Sequence, residues 1–187
     1  MGSSDRSLYN VLLTLATYAL ICRHERAPFL FPGSSYMWRH FCDVSDADLI
    51  ASQQIWAGTT PSAANQAFNC VNGDVFTWRS FWKALCELFR VEFVECESEG
   101  GAPDWSSRMA GKGPVWAEIV EENGLKKTRL EEIACFGAVG CILNFGFQHV
   151  SCMNKSREYG FVESVDTLKS VAKWVFRLRE MGVIPRD

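Results

Sequence analysis

His149 is the residue best suited by type to move a proton. No other histidine lies in residues 133–153, a stretch of 21 residues without Asp, Glu, Lys or Arg. Imidazole titrates nearest neutral pH of the common side chains, which suits general acid–base work. Tyr9 is the second candidate, because a phenol can donate a hydrogen bond to a carbonyl oxygen. Together they would serve an isomerisation, epimerisation or cyclisation, which needs proton transfer and substrate folding but no hydride. The competing reading of His149 is a core histidine, kept neutral by apolar surroundings.

Other arrangements carry less chemistry. Three histidines neighbour cysteines, in the pairs Cys22/His24, His40/Cys42 and His149/Cys152. None has a third group in sequence to orient it, and a metal site wants several converging ligands, so no metal is expected. The eight cysteines form no Cys-x-x-Cys pair and read as reduced thiols of a cytoplasmic protein. Gly111-Lys112-Gly113 and Gly137-Ala138-Val139-Gly140 follow no strand pattern, and no tyrosine has a lysine four residues later. A dinucleotide site, which needs a strand, a glycine turn and a helix N-terminus, is therefore not expected.

The elements that must position these residues are mostly helices. Helical spacing marks residues 7–23, 45–56, 77–89, 114–123, 128–147 and 166–181. Ser45, Thr77 and Asp166 or Ser164 are the expected N-caps, and Asn123-Gly124 and Gly182 the expected stops. Residues 29–31, 68–71 and 91–94 have strand composition. The expected fold is α+β and mostly helical, with five or six helices and two or three short strands. The 187 residues suit a single domain. A net charge of −3 with no basic stripe argues against nucleic acid as a partner. The uncharged stretch 133–153 has the length of a membrane span. Its Asn144, Gln148 and His149, and its lack of flanking aromatic belts, favour a buried or pocket-lining helix and no membrane partner. The first residues are polar and do not read as a signal peptide.

Three segments carry a resemblance. They are Asn72-Gly73-Asp74-Val75-Phe76-Thr77-Trp78, Ser45-Asp46-Ala47-Asp48-Leu49-Ile50-Ala51 and Met153-Asn154-Lys155-Ser156-Arg157-Glu158-Tyr159-Gly160-Phe161. They resemble the progesterone 5β-reductase / iridoid synthase family, an NADPH-dependent branch of the extended short-chain dehydrogenases. Family members are longer, and their glycine-rich nucleotide loop and catalytic Tyr and Lys lie upstream of the matching region. The resemblance therefore implies a C-terminal, substrate-binding half, a remnant of a Rossmann-type fold without the NADPH site. Met1 reads as a start inside that ancestral frame. The family places substrate between the start of the first helix and the helix over 133–147. Carried over, this gives Leu8, Tyr9, Asn10, Leu13 and Phe136 as substrate-binding residues. Helical spacing from Phe136 adds Gly140, Leu143 and Phe147.

The implied ligand is a small lipophilic carbonyl compound, terpenoid, steroid or alkaloid of plant specialised metabolism. The alternatives are an inactive half of an NADPH-dependent enone reductase and a non-catalytic partner of a full-length family member. Without a cofactor domain to cover it, the first helix is expected to be buried in a homodimer.

Overall fold

Helix α1 (Val11–Glu25) is the hub of the molecule, a computed structural model describing residues 1–4, 8–96 and 105–187. Asn10 caps it, its side-chain oxygen accepting the Leu13 N–H at 3.1 Å. Every residue from Leu12 to Cys22 is buried. A helix apolar all round must be enclosed on all sides. The chain does this itself, with α4 (Trp78–Phe89), α6 (Gly113–Glu122), α7 (Leu130–Ile133), α8 (Phe136–Leu143) and α10 (Thr167–Glu180) all packed against α1. Of the dimer face expected on residues 7–20, residues 12–20 are thus already covered from within. Tyr9, just before α1, is exposed, and so are Phe41, Val75, Phe147, Val150 and Phe176.

The fold class is α+β and mostly helical, as expected, but its pieces are shorter and more numerous. Among the described residues there are ten helices rather than five or six; the others are α2 (Ser35–Arg39), α3 (Ala47–Thr59), α5 (Trp105–Ala110) and α9 (Asn154–Glu158). The expected helix over 128–147 is broken into α7 and α8. At the break Cys135 leaves helical geometry (φ −120°, ψ 76°) and gives its N–H to the Thr14 hydroxyl of α1 at 3.1 Å. An outside acceptor replaces the helical one, so the backbone can turn at no loss of a bond. None of the described helices is long and apolar enough to cross a membrane.

Residues 29–31, 68–71 and 91–94 do not form strands. Their rings are held by aromatic packing: the buried Phe29 stacks on Trp82 at 4.1 Å, and of the half-buried rings Phe93 stacks on Trp38 at 5.9 Å and Phe68 meets Trp56 edge-on at 5.1 Å. The sheet lies at two other sites. Strand β1 (Phe41–Cys42) pairs antiparallel with β2 (Phe76–Thr77), Cys42 opposite Phe76. On its other edge Cys42 makes a parallel bridge with His149. This small sheet carries the C-terminal loop, and with it His149, back to the start of the chain.

Cys22, Cys42, Cys70, Cys86, Cys135, Cys141 and Cys152 are thiols outside any disulfide. Burial pushes those of Cys22 and Cys86 up to about 11, as fits small hydrophobic side chains rather than nucleophiles.

Candidate functional site: an apolar cavity with a polar end

α1 begins beside the small sheet, and a cavity of about 610 Å³ opens between them. Its walls come from four places. Residues 1–4 and Tyr9 to Val11 form one side, Cys42 to Ser45 a second, Trp78 and Phe81 of α4 a third, and Ile142, Phe145 and His149 the fourth. The volume falls within the range of about 300–1,000 Å³ usual for small-molecule sites. Rings and aliphatic chains make most of the wall; Asp43, Ser45, Asn10, Tyr9 and His149 supply side-chain polar groups.

Each wall is held by a local device. Residues 1–4 are laid down as an extended segment: the Met1 α-amine donates to the Ser45 carbonyl, Ala47 N–H to the Met1 carbonyl at 2.7 Å, and the Asn10 amide to the Gly2 carbonyl at 3.0 Å. Asn10 therefore does two jobs, capping α1 and fixing this segment. The end of α8 is set by Gly33, where any Cβ would collide with the Leu143 carbonyl and the Phe31 ring. That close approach lets Ser34 N–H reach the Leu143 carbonyl at 3.0 Å, so that the chain leaves α8 towards Phe145 and His149.

His149 is not a core histidine: its side chain is 59% exposed, at the cavity wall. Its Nδ1 lies 3.7 Å from Asp43 Oδ1, an ion-pair distance but too long for a hydrogen bond. The Asp43 side chain is nearly enclosed, at 2% exposed. Its Oδ2 accepts the Ser151 N–H, and the Asp43 N–H donates to the His149 carbonyl at 3.0 Å. Asp43 thus holds the 149–151 loop by backbone contacts while its carboxylate faces the imidazole. Sequence reasoning missed it. It stands just before two acids assigned to a helix start, and its contact at Ser151 is 108 residues away.

The other expected site residues divide. Tyr9 and Asn10 line the cavity with His149. Leu13 and Leu143 do not; both are wholly buried in the core. Phe136 meets Trp105 edge-on at 5.1 Å, and Gly140 faces the same indole at ordinary contact distance. These two serve the α5–α8 contact, because the face they share turns towards α5. Leu8 is half-buried outside the cavity wall, and Phe147 is exposed, stacked on Phe145 at 4.8 Å.

The remaining histidines have other partners. His24 faces Glu118 and Glu122, and His40 stacks on Tyr36 at 3.8 Å. The Cys42 thiol does line the cavity, but burial raises its pKa, so it is not poised as a nucleophile. No group of three metal-ligating side chains occurs among the described residues.

NADPH, implied by the resemblance, can be set against these residues. A pyrophosphate needs free backbone N–H groups at a helix start behind a glycine turn. At α1 the Asn10 side chain already takes the Leu13 N–H, and at α8 the Cys135 N–H is taken by Thr14. No Lys or Arg lines the cavity among the described residues. These residues do not fit a dinucleotide.

Sequence comparison places this mostly helical α+β chain among known proteins. No family model matches the chain. It is 42% identical over 184 residues to an (S)-8-oxocitronellyl enol synthase of Camptotheca acuminata, which covers 98% of this chain and 47% of that protein. It is 43% identical over 184 residues to a 3-oxo-Delta(4,5)-steroid 5-beta-reductase of Arabidopsis thaliana and to an (S)-8-oxocitronellyl enol synthase of Nepeta cataria, with the same coverage. The chain spans about half the length of the curated relatives it matches. It belongs with the iridoid synthase / progesterone 5β-reductase family, as the counterpart of the C-terminal half of its members.

Proposed function

We propose that this chain binds a small lipophilic carbonyl compound in the cavity beside α1 and changes it without hydride transfer. The observation that carries the reading is that Tyr9 and His149, distant in sequence, line one apolar cavity of about 610 Å³. The relatives' names, for an oxo-terpenoid enol and a 3-oxo steroid, support a carbonyl ligand of this size and polarity. In this reading Tyr9 donates a hydrogen bond to the carbonyl oxygen. The imidazole of His149 removes a proton beside that carbonyl to leave an enolate; return of the proton to another carbon gives an isomer, and its delivery to the carbonyl oxygen gives an enol set to cyclise. NADPH takes no part. The test is mass spectrometry of the purified chain incubated with a 3-oxo-Δ4,5-steroid and an acyclic oxo-terpenoid, with and without NADPH. A product of unchanged mass, formed without nucleotide, is expected. A product two mass units heavier that needs NADPH would restore a plain reductase.

A second reading is favoured by one feature. Phe41, Val75 and Val150 are each about half exposed, and each stands next in the chain to a paired residue of the small sheet. They give exposed apolar side chains along this sheet that a second copy or a longer relative could cover. In that reading the chain is a non-catalytic partner. Light scattering and co-purification with a full-length relative test it, and Phe41→Lys should abolish the association.

A further inference from the structure

We infer that the cavity is built for a lipophilic cation, a molecule bearing a protonated amine or iminium, which Asp43 holds by its free carboxylate oxygen. The inference rests on the cavity reading above and gives its lipophilic ligand a cationic nitrogen in place of, or condensed with, the neutral carbonyl.

The argument begins with the cost of a buried charge. An enclosed carboxylate is stable only if it is paired or fully hydrogen-bonded. Asp43 meets this only in part: Ser151 N–H serves Oδ2, while Oδ1 accepts no hydrogen bond among the described residues and has only the His149 ring facing it, at 3.7 Å. Neither Lys nor Arg forms an ion pair with it there. The nearest group that can carry charge is His149 at 3.7 Å, and a neutral imidazole leaves the carboxylate without a counter-ion. The Met1 α-amine lines the same cavity but is turned to the Ser45 carbonyl.

The rest of the wall suits the same ligand. Trp78, Phe81 and Phe145 line the cavity, and aromatic rings attract a desolvated cation while accepting its hydrocarbon body. A neutral ketone would fill the apolar part but leave Asp43 unpaired. An ammonium would do both, and its N–H would find the unsatisfied Oδ1. A carbon acid next to an iminium would also lie beside His149, so the proton-transfer reading and the charge reading use one pose.

The experiment compares N-hexylpiperidine, protonated at neutral pH, with 4-hexylcyclohexanone, a neutral ring of similar size, by titration calorimetry on the full chain. We expect both to bind, the amine about tenfold or more tighter, as befits a desolvated charge pair with aromatic support. Asp43→Asn, which keeps an acceptor for Ser151, should bring the two within about twofold by weakening the amine alone. His149→Gln should keep the preference, because it removes a competing cation and not the anion. Equal affinities in the unaltered chain, or a preference for the ketone, would overturn the inference while leaving the cavity reading intact. Binding of neither would overturn both. Should Asp43→Asn unfold, the unaltered chain and His149→Gln still decide the question.

Discussion

His149 lies at the cavity, as its residue type suggests, whereas Phe136, placed there by the family resemblance, lies in the core. His149 sits in an apolar stretch yet reaches the cavity with most of its side chain exposed. His149→Gln should therefore leave the thermal midpoint unchanged and lower turnover about 100-fold, the usual loss of a positioned acid–base group; unchanged turnover would remove His149 from the chemistry. Phe136 reads as a pocket ring and is instead a core ring against Trp105. Phe136→Ala should cost about 3 kcal/mol in urea denaturation, through lost burial and the cavity left behind. A variant of full stability with weakened ligand binding would return Phe136 to the site.

Between elements, the strongest tie among the described residues runs from α3 to α10 through Asp46. Asp46 caps α3, its Oδ1 accepting the Asp48 N–H at 2.8 Å. Its Oδ2 accepts from Trp174 Nε1 at 2.8 Å, from Lys173 Nζ at 2.8 Å and from the Ser170 hydroxyl, all on α10. Burial opposes the charge, but these donors outweigh it and hold the carboxyl at about 2, below its ordinary 3.8. A carboxyl depressed on folding adds stability that is complete above its unfolded value and is lost as pH falls through its folded value. The window here is from about pH 4 down to about 2. Asp46→Asn should be less stable at pH 7 by about 2–4 kcal/mol and should lose less over that window, because four donors lose their anion. Parallel pH profiles of the two proteins, read by urea midpoint, would contradict this.

This scale also shows what local sequence can say. The caps at Thr77 and Asp166 form where expected, and that of α3 falls on Asp46, one residue past Ser45. Capping is a local bargain between a side chain and the next turn, so it is legible. Strand pairing is not local. Residues 29–31 have strand composition but find rings to pack on, whereas Phe41–Cys42 and Phe76–Thr77 are too short to show a period and are fixed by their pairing. The break between α7 and α8 depends on Thr14, far away in α1, and so left no mark in the apolar run around it.

Across the whole molecule, the cavity is the feature that sequence could only half supply. Tyr9 and Asn10 are readable as site residues through family resemblance and His149 through its residue type, whereas Asp43 joins them through folding alone. The same view bears on the cofactor. With the start of α1 already capped by Asn10 and no Lys or Arg in the cavity wall among the described residues, we expect calorimetry to show no micromolar affinity for NADPH. A micromolar constant would mean that residues outside the described ones supply the cradle.

The most direct test of the account is where a lipophilic ligand lands. Methyl groups of Val11, Val44, Ile50 and Ile142 line the cavity, whereas those of Leu13 and Leu143 lie wholly in the core. Isotope-labelled methyl spectra recorded during titration with a 3-oxo-Δ4,5-steroid distinguish the two sets. The account predicts saturable shifts in the four cavity residues, with Leu13 and Leu143 little changed. Shifts centred on Leu13, Leu143 and the ring of Phe136, or no saturable shift in any of them, would contradict it.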